Sequence, residues 1–148
     1  MSSTYLSLHY HVIFSTKNRA PFIDVEWRDE LHRYMGGVVN GLDGTSLCVG
    51  GVEDHVHLLF GLKATHCLSD FMRELKKASS NWTADIPNME SFHWQDGYAA
   101  FTVSPTARDG VRKYVLNQDE HHRRRTFREE LIELLEMAGI EYDERYLD

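Results

Sequence analysis

The sequence is poor in cysteine and has no long apolar run. Its two cysteines, Cys48 and Cys67, form no CxxC pair or other metal or redox motif, which argues against a disulfide-rich secreted fold. No charge-free apolar segment approaches the ~20 residues of a membrane-spanning helix, and the first residues lack the basic start and apolar core of a signal peptide. We therefore expect a cytoplasmic protein with no membrane partner.

Phosphate-binding loops and repeats are also missing. The chain has no GxxxxGK[ST] loop of the kind that cradles nucleotide phosphates. It has no internal repeat and no low-complexity linker, and 148 residues are enough to bury one sizeable core. We therefore expect a single domain over residues 1–148.

The charge is unevenly distributed. The net charge is −7, from 23 acidic and 16 basic residues. Residues 129–148 hold eight of the acids and a single base, Arg145, which leaves 15 of each in residues 1–128. The body is thus neutral and an acidic C-terminal segment carries the excess, so a local basic surface remains compatible with the overall charge.

Hydrophobic periodicity predicts an α+β fold. Alternation of apolar and polar residues predicts strands at 5–15, 46–52, 54–61 and 98–103. Apolar residues at helical spacing predict helices at 25–42, from a Ser69 cap through Trp82, from Ser104-Pro105 to about His122, and from a Thr126 capping box to Gly139. The order β-α-β-β-α-β is the ferredoxin-like arrangement, an antiparallel sheet, here with two additional C-terminal helices.

The stretch GVEDHVHLLF places two histidines inside an apolar run. On a strand, His55 and His57 point to the same face, whereas Val56 points to the other. Two adjacent imidazoles on a half-buried face are either packed side chains or metal ligands. The segment His9-Tyr10-His11 has the same spacing, and periodicity alone does not decide between the two pairs.

The helix predicted before His122 offers a third ligand and a nucleophile. Tyr114 and Gln118 are four residues apart and therefore share one helix face. If the Gln118 amide oxygen joined His55 and His57 on a divalent ion, all three ligands would be neutral and the ion would keep its charge for a phosphate oxygen. Tyr114 would then lie beside it as a nucleophile able to form a covalent phosphotyrosine. Such a link retains the phosphodiester bond energy, which agrees with the missing nucleotide loop.

These residues resemble the single-tyrosine HUH transposases, in which an apolar residue separates two histidines. The similarity rests on HVH at 55–57 and YVLNQ at 114–118. It extends to YHVIFSTKNR at 10–19, LSDFMRELKKASS at 68–80, FHWQDGYAAFTVS at 92–104 and TFREELIELLEMAGIEYDERYL at 126–147. The chain is most similar to the branch called REP-associated tyrosine transposases. The resemblance covers nearly the whole sequence.

The resemblance implies a reaction and a site. His55, His57 and Gln118 would bind Mg²⁺ or Mn²⁺, and Tyr114 would attack single-stranded DNA beside a hairpin, leaving a 5′-phosphotyrosine and a free 3′-OH. Imidazole ligands by themselves favour Mn²⁺ or Zn²⁺, so Mg²⁺ comes from the resemblance alone. It also implies a protein that is nucleoid-associated when bound to DNA, and it leaves both a monomer and a homodimer open.

Several basic residues are candidates for DNA contact. They are Lys17, Arg19, Arg73, Lys76, Lys77, His121, Arg123 and Arg124. Each could contact phosphate, or could simply lie on a solvated face or at a helix end. Trp94 and Tyr98 could stack on unpaired bases, although core packing is the expected role of at least one.

Two other functions fit part of this pattern. A non-catalytic, domesticated DNA-hairpin-binding protein would keep the pocket without the reaction. A water-using metal-dependent phosphodiesterase would keep the metal and release a free 5′-phosphate. Taken one at a time, each histidine, Tyr114 and Gln118 would more often be structural, and only their combination favours the strand transferase.

Overall fold

The computed structural model describes residues 3–122 and 124–147. Within these ranges the strands are β1 His9–Ser15, β2 Thr45–Gly51, β3 His55–Gly61 and β4 Ala99–Val103. The α-helices are α1 Val25–Gly41, α2 Leu68–Ala84, α3 Arg108–Leu116, α4 Gln118–His122 and α5 Phe127–Met137, and short 3₁₀ turns cover Lys17–Arg19 and Glu144–Tyr146. None of the described helices has the length and apolar character needed to cross a bilayer.

The four strands form one antiparallel sheet in the order β2-β3-β1-β4. This is the strand order of the ferredoxin-like arrangement, so the predicted α+β fold class is confirmed. The central pair, β1 and β3, places Ser15 opposite His55 and Ile13 opposite His57. The two histidines therefore lie on a central strand of the sheet, beside β1.

The sheet is covered on both faces. Helices α1 and α2 pack on one face over Val56, Leu58 and Phe60 of β3, which belong to the main core. The opposite face is covered by α3, whose Val115 packs with Leu59, and by α5, whose Phe127 packs with Ile13. Burial on both faces explains why every residue of β3 is buried. The predicted alternation is confirmed, with the histidines on the face of α3 and α5.

Local sequence signals account for the helix ends. The Asp24 side chain accepts a hydrogen bond from the Glu26 backbone N–H at the start of α1. The predicted capping box of Thr126 and Glu129 opens α5, with both reciprocal bonds present. After α5, Gly139 adopts a positive φ of 69°, which glycine accepts without a Cβ penalty.

Three predicted boundaries were wrong. β1 begins at His9 and not at Tyr5, because residues 3–8 pair with no strand among the described residues. α2 begins at Leu68 after Cys67, so Ser69 lies inside the helix and does not cap it. The helix predicted from Ser104 begins only at Arg108.

The same predicted helix is also broken near its end. Asn117 has φ −109° and ψ 28°, outside the helical region, and separates α3 from α4. Three helices therefore follow β4, where two were expected. Tyr114 and Gln118 lie on opposite sides of this break, so their relative position is set by tertiary contacts as well as by helical spacing.

Gly50 allows α3 to approach the sheet closely. A Cβ at this position would clash with the backbone carbonyl oxygen of Val115, on the helix that carries Tyr114. The absence of a side chain near the end of β2 thus allows α3 to come this close to the sheet.

Candidate metal centre and nucleophile

His55 and His57 lie side by side on β3, and both are fully buried. Their ring centroids are 5.2 Å apart. The Nδ1 atom of His55 lies 2.7 Å from Oδ1 of Asp54, and that of His57 lies 2.8 Å from Nε2 of His11. With both Nδ1 atoms engaged, the Nε2 atoms are the ones presented to the interior of the site, as is usual for metal-binding histidines.

The contact of His11 bears on the choice between the two histidine pairs. His11 lies on the neighbouring strand, as the sequence suggested, and its ring stacks on that of His57 at 5.1 Å. His9 is displaced from this position, at the end of β1, where its ring nitrogens lie near Ser7 and Arg108. His11 therefore supports His57 from behind, and His9 is not part of the cluster.

Gln118 brings its amide oxygen to the same place. The side chain is buried at the start of α4, and its Oε1 lies 3.4 Å from Nε2 of His55. Its Nε2 donates to the backbone carbonyl oxygen of Tyr114 at 3.0 Å, which fixes the orientation of the amide. The three residues expected to bind a metal are thus brought together by β3 and α4.

Two further residues join this cluster. Oε1 of Glu130, on α5, lies 3.0 Å from Nε2 of His57, 3.2 Å from Nε2 of His122 and 3.5 Å from Nε2 of His55. Nε2 of His122 also lies 3.0 Å from Oε1 of Gln118. One atom from each of His55, His57, His122 and Glu130 can be chosen so that all lie within 4.8 Å of one another, as in a metal site.

The hydrogen bonds behind the imidazoles leave an electron-rich cavity. Nδ1 of His122 lies 2.8 Å from the carbonyl oxygen of Arg125 and must donate to it. Nδ1 of His55 likewise donates to the Asp54 carboxylate. A neutral imidazole that donates through Nδ1 has a lone pair on Nε2. Two such lone pairs face the oxygens of Gln118 and Glu130, so a cation, either a proton or a metal ion, must lie between them.

Tyr114 borders this cavity. Its hydroxyl donates a short hydrogen bond to Oε2 of Glu130. Its ring lies 5.6 Å from that of His57 and 4.5 Å from that of His121, which is therefore next to the tyrosine but outside the cluster. The expected nucleophile, Tyr114, follows His57 by 57 positions and His55 by 59 in the sequence, yet the structure brings all three into one site.

The pKa values of the imidazoles are shifted in opposite directions. Burial lowers the pKa of His55, but the hydrogen bonds and charges of Asp54 and Glu130 outweigh it and raise the pKa to about 9. Burial lowers the pKa of His57 to about 4 despite the hydrogen bond to Glu130, and burial lowers that of His11 to about 3. In the absence of a metal ion, the protonated form of His55 is therefore favoured, and its proton brings one positive charge to the cavity.

The acid and the phenol are also perturbed. Burial raises the pKa of Glu130, but its close polar contacts with the imidazoles of His122, His55 and His57 outweigh it and hold that pKa well below its usual range. Burial raises the pKa of Tyr114 well above its usual range, and the hydrogen bond to Glu130 adds to this. The tyrosine is therefore protonated in the metal-free site, and its ionisation needs a nearby cation.

Both missed residues left a signal in the sequence. His122 follows Gln118 by four residues and so continues the face of Tyr114 and Gln118. Glu130 lies between Phe127 and Leu131 on the apolar side of α5, where an acid is out of place. This signal was missed because the segment contains many acids, and each glutamate there, Glu130 included, could equally be a solvated surface residue.

Comparison with known proteins identifies the family. The sequence profile described as "Transposase IS200 like" matches residues 4–118, a span of 115 of the 148 residues. The chain belongs to the IS200-like transposase family. It is thus related to enzymes that cut and transfer DNA strands, and the family expected from the sequence is confirmed.

Individual relatives of this transposase agree with the assignment. The ISDra2 transposase TnpA of Deinococcus radiodurans is 29% identical over 121 residues, covering 76% of this chain and 85% of that protein. A crystal structure of a candidate transposase from D. radiodurans R1 superposes with a TM-score of 0.62 at 26% identity, covering 80% of this chain and 96% of that one. A REP-associated tyrosine transposase bound to a REP hairpin shares the fold, with a TM-score of 0.55 at 15% identity over 78% of this chain and 70% of that one.

A polar cleft of this transposase opens beside the cluster. It has a volume of about 540 Å³ and is lined by Arg19, Arg124 and Arg125, with His122 and Asp54 of the cluster region on its wall. Two of the basic residues expected to contact DNA, Arg19 and Arg124, thus lie next to the site. Lys17 is exposed in the turn that carries Arg19, and Arg123 lies outside the described residues.

A second cleft gathers the basic residues of α2. It has a volume of about 380 Å³ and is lined by Arg73, Lys76 and Lys77, with Trp94 and Tyr98 opposite. Trp94 is mostly core: its ring packs edge-on to Phe14 and its Nε1 donates to Ser79, so it is not free to stack on a base. Lys76 is held by the carbonyl oxygens of Gln95 and Gly97, whereas Arg73 and Lys77 are exposed.

Proposed function

We propose that this transposase cleaves and rejoins single-stranded DNA beside a hairpin, through a covalent bond between Tyr114 and a 5′ phosphate. His55, His57 and Gln118 would hold a divalent cation, Mg²⁺ or Mn²⁺. The observation that carries the proposal is the position of the Tyr114 hydroxyl, which borders a cavity where imidazole lone pairs and buried oxygens converge.

The donor set fits a divalent cation. Imidazole nitrogen and amide oxygen are both good ligands for Mn²⁺, and oxygen is the donor that Mg²⁺ prefers. The Nδ1 atoms of His55 and His57 are already engaged by Asp54 and His11, which leaves the Nε2 atoms for the ion. When bound, such an ion would polarise phosphate oxygens and help to orient the phosphodiester.

The reaction that Tyr114 would perform is a transesterification. Its oxygen forms a bond to phosphorus, the bond from phosphorus to the 3′ oxygen breaks, and the electron pair leaves with that oxygen. The hydroxyl proton is lost from Tyr114, and the departing 3′ oxygen takes up a proton, so the charges balance. Rejoining is the reverse attack by a 3′-OH on the phosphotyrosine, and neither step needs a nucleotide cofactor.

The DNA partner is supported by position and charge. Arg19 and Arg124 line the cleft beside the cluster together with several acids, and their charges could neutralise phosphates near the nucleophile. The REP-associated relative was solved with a REP hairpin, which supports a hairpin as the partner of this chain as well. The expected ligands and the nucleophile of a single chain lie close together, and a homodimer is compatible with the proposed reaction. Bound to such DNA, the protein would be nucleoid-associated.

A labelled-DNA assay tests the proposal. Hairpin oligonucleotides with randomised single-stranded flanks and a 3′-end label are incubated with the protein and Mn²⁺ or Mg²⁺, then separated on a denaturing gel. We expect labelled protein with the wild type and with Tyr5→Phe, whose ring is 90% exposed, and none with Tyr114→Phe, which should still bind the hairpin.

The same gel separates the alternative functions. A free fragment with a 5′-phosphate and no labelled protein would indicate a water-using phosphodiesterase. Binding with neither product, at any metal concentration, would indicate a non-catalytic hairpin-binding protein. Either result would overturn the proposed tyrosine chemistry.

A further inference from the structure

Glu130 is a buried acid for which the proposed reaction has so far no use. It lies in the acidic C-terminal segment, yet only 1% of its surface is exposed. Its neighbours on α5, Phe127 and Leu131, pack against the sheet and hold it in place. Burying a carboxylate costs free energy unless the charge is paired, so an acid at this position needs a partner of opposite charge.

The two carboxylate oxygens face different groups. Oε1 lies 3.0 Å from Nε2 of His57 and 3.5 Å from Nε2 of His55. Oε2 accepts the hydrogen bond of the Tyr114 hydroxyl. One side chain therefore contacts both the expected metal ligands and the expected nucleophile.

The distances around Oε1 are those between ligands of one ion. Metal–ligand bonds of roughly 2.1 Å place neighbouring ligand atoms about 3.0 Å apart in octahedral and about 3.4 Å apart in tetrahedral geometry. Oε1 is separated from the three imidazole Nε2 atoms by 3.0 to 3.5 Å. An ion placed among these atoms would satisfy the lone pairs of His55 and His122 and the charge of Glu130 together.

We propose that Glu130 is an additional, anionic ligand of the cation and that its second oxygen holds the Tyr114 hydroxyl beside that ion. The inference rests on the proposed function and deepens it. It makes α5 part of the catalytic machinery, because this helix supplies both a ligand and the group that positions the nucleophile.

The added ligand changes the character of the site. His55, His57 and Gln118 alone would form a neutral donor set, whereas Glu130 contributes a hard, charged oxygen. Carboxylate oxygen suits Mg²⁺ better than imidazole does, so Glu130 would make the site favourable for Mg²⁺, which the histidines alone do not. It also places the Tyr114 oxygen at a fixed separation from the ion, as attack on a bound phosphate requires.

Metal binding provides a test that does not depend on activity. Mn²⁺ is titrated into the metal-free wild type, Glu130→Gln and Glu141→Gln, with binding followed by calorimetry and folding checked by thermal denaturation. Glu141 is an exposed acid of the same C-terminal segment and controls for the change in net charge. We expect Glu130→Gln to weaken Mn²⁺ binding at least ~10-fold and Glu141→Gln to leave it unchanged.

The second role of Glu130 is tested by adduct formation at saturating Mn²⁺. Under that condition the metal site is filled in each variant, so a slower reaction reports on the tyrosine. We expect the rate of covalent DNA–protein bond formation to fall at least ~10-fold in Glu130→Gln and to be unchanged in Glu141→Gln.

Glu130→Asp covers the case in which the glutamine variant does not fold. It keeps the charge on a stem one methylene shorter, which cannot reach both partners at once, so Mn²⁺ affinity or adduct rate should fall at least ~10-fold. A wild type that forms the adduct, together with Glu130 variants that match or exceed it in both measurements, would overturn the inference and leave the proposed function intact. A wild type that forms no adduct would instead refute the proposed function.

Discussion

The Tyr114 hydroxyl donates its hydrogen bond to Oε2 of Glu130, a residue 16 positions further along the chain. The other oxygen of the same carboxylate lies 3.0 Å from Nε2 of His57. Helices α3 and α5 are thus joined by a hydrogen bond at the point where the proposed reaction would take place. A displacement of either helix should therefore change the position of the Tyr114 hydroxyl.

His11 should matter for metal binding although it is not expected to touch the ion. Its Nε2 lies 2.8 Å from Nδ1 of His57 and fixes the orientation of that ring. We expect His11→Phe to weaken Mn²⁺ binding about 10- to 100-fold, because partners behind a ligating histidine contribute on that scale. His9→Phe is the matched control on the same strand. Equal losses in the two variants, measured by calorimetry, would mean that the His9-Tyr10-His11 pair participates directly.

Stability should depend on pH in the absence of metal. The pKa of His55 is raised to about 9 in the fold, so its protonation stabilises the protein fully below its ordinary value of 6.5 and is lost as the pH rises through 9. We expect the contribution of His55 to the free energy of unfolding to fall by about 1 kcal/mol between pH 6.5 and 8, whereas the lowered pKa values of His11, His32 and His57 raise that free energy over the same range. Above pH 8, the lowered pKa of Lys76, about 8, has the opposite effect and raises the free energy of unfolding as the pH rises.

Urea denaturation at several pH values measures this dependence. The contribution of His55 is the difference in the free energy of unfolding between the wild type and His55→Gln, and this difference should fall between pH 6.5 and 8. At saturating Mn²⁺ the same difference should rise with pH instead, because the ion competes with the proton for the same nitrogen. A difference that stays constant over this pH range in the metal-free protein would show that His55 does not carry the dependence.

Gly50 should control the position of Tyr114. A Cβ there would clash with the Val115 carbonyl oxygen, so Gly50→Ala must push α3 away from the sheet. We expect a loss of about 1–3 kcal/mol in stability and an adduct rate about 100-fold lower, since displacements near 1 Å are costly at reacting groups. Gly37→Ala, where a Cβ meets nothing within 4 Å, should leave the rate unchanged. A Gly50→Ala enzyme as fast as wild type would show that α3 is free to shift.

Arg124 should contribute to DNA affinity through charge. It is exposed and lines the cleft beside the cluster. We expect Arg124→Ala to weaken binding of hairpin DNA and to lower the slope of log affinity against log salt by about 1, as for a lost phosphate contact. Arg145, which pairs with Asp143, provides a control with the same loss of charge. Equal effects of Arg124→Ala and Arg145→Ala would point to net charge alone.

The fold was predictable because burial on two faces leaves a strong pattern. Alternating apolar residues around Val56 predicted the strand at the centre of the sheet, and apolar residues at helical spacing predicted α1. Both predictions had only small errors at the ends of the elements. β1 was predicted too long because Leu6 and Leu8 continue its alternation, although Leu6 is 55% exposed and no described strand pairs with this segment. Pairing depends on a partner elsewhere in the chain, which local sequence does not reveal.

The site was predictable only in part. The structure brings His55, His57, Gln118 and Tyr114 together, as their spacing suggested, although their roles stay predictions. The break at Asn117 was missed because helical spacing carries no sign of a single non-helical residue. Glu130 was missed because its role arises from a long-range contact with β3. In the sequence it looks the same as the solvated glutamates around it.

Mapping the DNA-linked amino acid tests the central claim most directly. The covalent product of wild-type protein and 3′-end-labelled hairpin DNA is digested with nuclease and protease, and the nucleotide-bearing peptide is sequenced by mass spectrometry. The account predicts one modified residue, Tyr114, carrying a 5′-linked nucleotide. A nucleotide on any other residue, or cleaved DNA with no nucleotide on the protein, would contradict it.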